Sequence, residues 1–415
     1  MPSTNYLEKD IPRIASVGIL VGIYGSLVAG QLIRFVLHGQ GGGILLSDIV
    51  VLGVIGLVGI LVLFGRVPVS EISSSLKKYA LFFLPFIVWA GSVLFAQEYA
   101  LGLHSFGIAA LYLVRIIAIS LLFPVLLIIS TSYEAKKRIS GGFVWAYYLL
   151  LGLGYVQLLV HPSLVGIANG WDPHIHRMVA TWLDPNFFGA FIVIGFFPVL
   201  ILSRWNIVVL VSAVGALILT GSRSSWIAFV VGFIVVGALV LMNSSLTAYW
   251  KKGACLVFGI IIITCIAGGA TLSDRLNSFF VHDPTVTLRA DAYKEVWHRL
   301  VEPNILFGVG YNAYQFSAKD AGLIDNFSIH SRAGSDSSVL TLLVTTGIIG
   351  TALFFLPILI GLYWHGVHWL LYRRTKSLGW IASIIALLVH AQFENSLLYP
   401  HLLILMIIIS VITLI

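Results

Sequence analysis

Residues Ser273 to Ser338 read SDRLNSFFVHDPTVTLRADAYKEVWHRLVEPNILFGVGYNAYQFSAKDAGLIDNFSIHSRAGSDSS, a polar stretch in a chain otherwise made of apolar runs. The stretch gathers Asp274, Arg275, His282, Asp283, Arg289, Asp291, His298, Arg299, Glu302, Asp325, His330, Arg332 and Asp336. Apolar segments bound it on both sides, Ala254 to Leu272 before and Val339 to Trp364 after. Runs of about 20 apolar residues are the length of helix that crosses a bilayer, so the pattern is that of a multi-span membrane protein with one large loop. Composition agrees: 59% of the 415 residues are hydrophobic and 10% charged, with a mean hydropathy of +1.00. Such values lie outside the range of soluble domains. No nucleic-acid-binding motif is present.

Outward from that loop, spans are expected near residues 14–36, 44–65, 79–96, 106–130, 143–160, 185–202, 205–220, 225–242, 254–272, 339–364, 379–393 and 398–415. The expected fold is therefore an all-α integral membrane protein of about 12 transmembrane helices. It divides into a bundle of nine spans over 1–272, the loop 273–338, and three spans over 339–415. The run after Lys9 and Arg13 is too long for the apolar region of a secretory signal and reads as the first span. Lysine and arginine bias sets the orientation. Arg66, Lys77 and Lys78, then Lys136 to Arg138, Arg204, Lys251 and Lys252, and Arg373, Arg374 and Lys376 all fall on the side of Lys9 and Arg13. Both termini are then cytoplasmic and the large loop lies outside, which in a bacterium is the periplasmic face of the inner membrane. Cytoplasmic lysines and arginines account for much of the net charge of +7. Cys255 and Cys265 are ten residues apart in one apolar segment, so if that segment is helical about 15 Å of rise separates them and excludes a disulfide, and no metal-ligand spacing appears.

Within the loop, Leu288, Ala292, Val296 and Leu300 recur every four residues, with Tyr293 and Trp297 widening the stripe. An amphipathic helix over Thr287 to Val301 is expected, ended by Pro303 and able to lie on a membrane surface. Arg223, in Gly221-Ser222-Arg223-Ser224-Ser225, offers a guanidinium fork, flanking hydroxyls and a helix start to a phosphate. The same placement suits an arginine reaching for lipid headgroups. Arg289 lies beside the apolar stripe. Arg115 sits deep in a span, where an unpaired cation is costly, and Asp48 is a possible partner. His330 or Asp336 could remove a proton from a hydroxyl, although Asp336 also reads as a helix cap. Asp184 and Asn186 read as caps first and ligands second.

Four motifs occur in order: Asp184-Pro185-Asn186-Phe187-Phe188-Gly189, Gly221 to Trp226, Phe307-Gly308-Val309-Gly310 after Arg289 and Trp297, and Thr346-Gly347-Ile348-Ile349-Gly350. Together they resemble the O-antigen ligase and polymerase superfamily over about Trp182 to Pro357. The resemblance implies a GT-C-like membrane glycosyltransferase that moves a glycan from undecaprenyl diphosphate to an acceptor hydroxyl, on another glycan or on lipid A core. It implies that Arg223 and Arg289 hold the diphosphate and that a loop histidine is the general base; the residues themselves add Arg115 as a further candidate cation and leave His330 or Asp336 as the candidate base. Ser222, Ser224, Asp184, Asn186 and Arg332 would support them, with no cofactor and no metal. Ligases carry a histidine followed by asparagine before the span that here begins near Val339, whereas this chain has Ser335-Asp336-Ser337-Ser338. That version looks more like members that polymerise O-antigen or exopolysaccharide repeat units. Ligation is the alternative, and a transporter or flippase for lipid-linked glycans a further one.

Overall fold

The computed structural model describes residues 13–36, 43–166, 174–204, 206–241, 284–324 and 334–414. In chain order the helices are α1 (Arg13–Ala29), α2 (Leu46–Leu63), α3 (Val69–Phe82), α4 (Leu84–Ala96), α5 (Glu98–Ile129), α6 (Tyr133–Val160), α7 (Pro185–Leu202), α8 (Ile207–Thr220) and α9 (Arg223–Leu241). They continue with α10 (Pro284–Val296), α11 (Tyr314–Asp320), α12 (Ser338–Tyr372), α13 (Thr375–His390) and α14 (Pro400–Leu414). Two short strands, β1 (Arg34–Val36) and β2 (Gly43–Leu45), pair antiparallel between α1 and α2. The protein is thus an all-α membrane protein with one small ribbon. Among the described residues, six helices are long and apolar enough to cross a membrane, or seven if the bent pair α3 and α4 is one span. The shorter apolar helices α1, α8, α13 and α14 complete the described bundle. The expected span at 254–272 and the boundary at 272/273 lie outside the described residues.

At the centre stands α7, whose sequence PNFFGAFIVIGFFPVLIL is apolar on every side and is correspondingly buried on almost every side. It packs against α8, α9, α13 and α14. Gly189 is needed there, because a Cβ would run into Ser225 at the start of α9. Around this centre, α5 packs on α2, α3, α4 and α14, and α1 packs on α2 and α6.

Three departures from the expected elements have local causes. The run expected as one span over 79–96 is split, with α3 and α4 meeting at 54°. Pro85, in the first turn of α4, has no N–H to continue the preceding helix. The loop helix ends its α-helical part at Val296 and passes through one π-helical turn, Trp297–Val301, so Pro303 falls in the short turn that follows rather than stopping the helix itself. Its stripe is also divided: Val296 and Leu300 are buried in a small core with Val309, Tyr314, Phe316, Leu340 and Val344, while Leu288 is 68% exposed.

The glycine motifs explain how this loop is anchored. Gly347 interrupts α12 with φ 66° and ψ −174°, so its neighbours release backbone groups from the helix. Val309 N–H donates to the Val344 carbonyl and Ile348 N–H to that of Ile305, each at 2.8 Å. A Cβ on Gly308 would strike the backbone of Thr345 to Gly347, and one on Gly347 would strike that of Leu306. Two glycines thus let the loop close onto the broken helix, and Tyr311, Asn312 and Tyr314 follow directly from that junction.

Candidate functional site

Several separate parts of the chain converge on a polar cavity of about 370 Å³. Its wall includes Gln31 and Arg34 after α1, Tyr112 and Arg115 of α5, and Asp184, Asn186 and Phe187 at the start of α7. Arg289 of α10, Tyr311 to Tyr314, Gly334 to Asp336 before α12, and Glu394, Asn395 and Tyr399 between α13 and α14 close it. The cavity therefore lies where helix ends meet, the usual place for polar groups that a bilayer core would not tolerate.

Arg115 is clamped. Its Nε and Nη2 donate to the two carboxylate oxygens of Asp48 at 2.9 and 2.6 Å, and Nη2 also reaches the Gly43 carbonyl at 2.5 Å. Asp48 in turn caps α2 by accepting from Leu45 N–H at 2.8 Å. The expected partnership is made, and it ties α5 to both β2 and α2. Asp184 caps α7, accepting from the N–H groups of Asn186 and Phe187 at 2.7 and 3.1 Å. Arg289 is shared between carboxylates: Nε lies 3.1 Å from Asp336 and Nη2 lies 3.7 Å from Glu394.

Arg223 stands apart from this wall, half-buried in the first turn of α9. The hydroxyls flanking it are committed to protein partners. Ser222 Oγ contacts Ser224 Oγ and Ser225 Oγ at 3.1 and 2.9 Å, and Ser224 Oγ shares a hydrogen bond of 3.1 Å with His390 Nε2. His390 Nδ1 is 2.5 Å from Ser396 Oγ, so this chain of polar groups links α9 to the turn carrying Glu394 and Asn395. His330 and Arg332 lie outside the described residues.

The electrostatics divide the cavity. Burial pushes the Glu394 carboxyl well above the ordinary glutamate range, and Asp184 and Asp336 add to the rise against the opposing pull of Arg289 and Arg177. Burial likewise raises Asp184, opposed by the N–H groups of Phe187 and Asn186 and by His174 and Arg177. Tyr293 and Tyr314 are both pushed up to about 12, by burial first and then by Asp336. The site thus sets the Arg289 guanidinium beside a carboxyl, Glu394, that burial holds towards its protonated form.

Residues 207–355 match the family model described as O-antigen ligase. The match supports the resemblance to the O-antigen ligase and polymerase superfamily over that segment, which is less than half of the chain. No curated protein matches the chain. The matched segment runs from α8 to the middle of α12 and so includes Arg223, Arg289, Asp336 and the glycine junction. The rest of the cavity wall, on α5, α7 and the α13–α14 turn, comes from outside it.

Several wall residues had no individual signal in the sequence. Arg34, Gln31, Glu394 and Asn395 are ordinary polar residues at span ends. Arg177 is not on the wall but braces it from the polar stretch ahead of α7, its Nε donating to the Thr220 carbonyl at 2.7 Å and its Nη2 to Asn186 Oδ1 of the wall at 3.2 Å. The available clue was collective: the charge bias of the loops puts all five on the same side as the large loop.

Proposed function

We propose that this protein transfers a glycan from undecaprenyl diphosphate to an acceptor hydroxyl at the periplasmic face of the inner membrane, as a repeat-unit polymerase. The observation that carries this is the convergence of Arg34, Arg115 and Arg289 with Asp336 on one cavity at the helix ends. A departing diphosphate needs fixed positive charge where its own charge develops, and Arg289 offers a fork there. Arg115, held rigid by Asp48, is a second cation of the wall. Arg223, with Ser222 and Ser224 bracing the first turn of α9, would meet the diphosphate only from beyond that wall.

In the transfer, the acceptor oxygen bonds to the anomeric carbon as the bond from that carbon to the phosphate oxygen breaks, and the diphosphate leaves with the electron pair. The acceptor's proton goes to Asp336, which supports this role by lining the cavity beside Arg289. His330 is the other base to test, and Arg332 beside it would support that alternative. Asp184 and Asn186 line the same cavity and would support the site from the start of α7. Polymerisation is preferred because Asp336 occupies the place where ligases carry histidine. The family description favours the second reading, ligation onto lipid A core.

A strain lacking the gene, complemented with wild type, Arg289→Ala, Arg223→Ala, His330→Ala or Asp336→Asn, tests these assignments by its surface-polysaccharide gel profile. Glycan capped at a single repeat in the deleted strain supports polymerisation. Full-length chains stalled on undecaprenyl diphosphate support ligation instead. Normal profiles from both arginine variants would overturn the diphosphate site.

A further inference from the structure

Two buried amide oxygens on the cavity wall point to a ligand that donates hydrogen bonds. Gln31 is 7% exposed, and its Nε2 donates to the Tyr399 hydroxyl at 2.8 Å. The other end of the same amide, Oε1, receives no donor from the described residues. Asn395 Oδ1 is likewise buried without a donor among them, and both residues line the cavity. Leaving a buried acceptor unsatisfied costs about 1–3 kcal/mol, so two of them in one cavity is an expensive arrangement unless something completes them.

Both amides are held in place. Gly30, at φ 55°, lets the chain pass so close to Thr181 that a Cβ would strike the Thr181 carbonyl, and Gln31 N–H then donates to that carbonyl at 2.9 Å. Tyr399, which receives the Gln31 amide, is stacked on Phe187 with ring centroids 4.0 Å apart and planes within 8°. Asn395 packs by its Nδ2 against Gly334, where even a Cβ would come within 2.6 Å.

A diphosphate can satisfy Arg34, Arg115 and Arg289, but it carries acceptors and cannot satisfy an amide oxygen. A sugar can, through its hydroxyl or acetamido N–H groups. We infer that Gln31 and Asn395 form a subsite for the sugar joined to the diphosphate, reading its hydrogen-bond donors while the arginines hold the phosphates. This rests on the diphosphate reading and adds a consequence to it. The protein distinguishes the glycosylated carrier from the bare one, so that once the sugar is transferred the spent carrier is held less tightly and leaves.

The test uses the full chain in nanodiscs and two probes, undecaprenyl diphosphate and undecaprenyl diphosphate bearing N-acetylglucosamine. Wild type should bind the glycosylated probe more tightly. Gln31→Met and Asn395→Leu should each weaken that probe about three- to tenfold while leaving the bare diphosphate unchanged. The two residues lie on different parts of the chain, so a folding defect in one variant, seen as a lowered Tm, leaves the other as the measurement. Equal wild-type affinity for both probes, or equal loss for both in stably folded variants, overturns the sugar subsite and leaves the diphosphate site standing. Wild-type binding of neither probe overturns both.

Discussion

Breaking the clamp between Arg115 and Asp48 should destabilise the protein more than any other single change in the cavity wall. The two side chains are 14% and 12% exposed, and two hydrogen bonds of 2.6 and 2.9 Å join them. In Asp48→Ala, Arg115 loses its one carboxylate among the described residues and is left with neutral partners, the Gly43 carbonyl and Tyr112, whose ring lies 4.5 Å from its guanidinium carbon. A buried charge left without its partner costs about 3–5 kcal/mol, and losing the helix cap adds about 1 kcal/mol. Arg115→Met should cost a similar amount, because Asp48 retains only its bond from Leu45. The double variant Asp48→Leu with Arg115→Met carries no buried charge and should recover most of the loss, giving a coupling of about 2 kcal/mol or more. Equilibrium unfolding of the full chain in mixed micelles, followed by tryptophan fluorescence, measures it. Additive single effects, or an Asp48→Ala variant within about 0.5 kcal/mol of wild type, would refute the reasoning. Transfer by the double variant then decides what Arg115 does: a stable protein that still transfers glycan uses Arg115 only to position the wall, and a stable protein that does not uses it on the diphosphate.

Other changes should separate function from stability. Arg289→Ala should abolish transfer with an unchanged Tm, since its ion pairs are partly exposed and such pairs contribute only about 0–1 kcal/mol. Arg289→Lys, which keeps the charge and loses the fork, should restore transfer only in part, and full restoration would mean that the fork is not used. Glu394→Gln should raise stability at neutral pH. Burial lifts the folded pKa of Glu394 above its ordinary value of 4.5, so the stability associated with it is fully present below about pH 4.5 and is lost as pH rises towards the folded value. Unfolding curves across about pH 5 to 8 should therefore be flatter in the variant, and parallel curves would contradict the burial of this group. Gly347→Ala should cost more than about 1 kcal/mol through its positive φ and its contact with Leu306. It should also undock the 305–310 segment, visible as faster proteolysis there; wild-type cleavage rates would show that the junction tolerates a Cβ.

Much of the frame was legible from local pattern. Apolar length marked the spans, and the aspartate before Pro185 was readable as a cap because capping depends on the next few residues alone. Hydropathy carried less about span continuity. The run over 79–96 has the length of one span, yet Pro85 breaks it, and α5 begins at Glu98, well before the expected start, passing through a break at Gly102. The hydroxyl run around Arg223 shows a different limit. Serines at a helix start suit a phosphate cradle and helix packing equally, and only the third dimension reveals that Ser224 meets His390. Glu394 and Asn395 could be placed near the last outer turn, but their meeting with Gln31 and Arg34 was out of reach, since each becomes a site residue only where distant parts of the chain converge.

Under the proposed function, that convergence gives Arg289 two competing roles. In the structure its guanidinium already has an anionic partner in Asp336 and a second carboxyl, Glu394, at its other edge. A diphosphate must displace the first to be held in the same fork. The displacement is inexpensive, because the pair with Asp336 is partly exposed and worth about 1 kcal/mol or less, whereas a phosphate gains a charged, bidentate contact. Glu394 makes the exchange easier still: held towards its protonated form by burial, it adds little repulsion to an incoming anion. Once Arg289 has turned to the diphosphate, the Asp336 carboxylate is released at the cavity wall, where an acceptor hydroxyl can be its next partner. Donor binding and the exposure of the base would then be a single event, which protects the lipid-linked glycan from attack until the donor is seated.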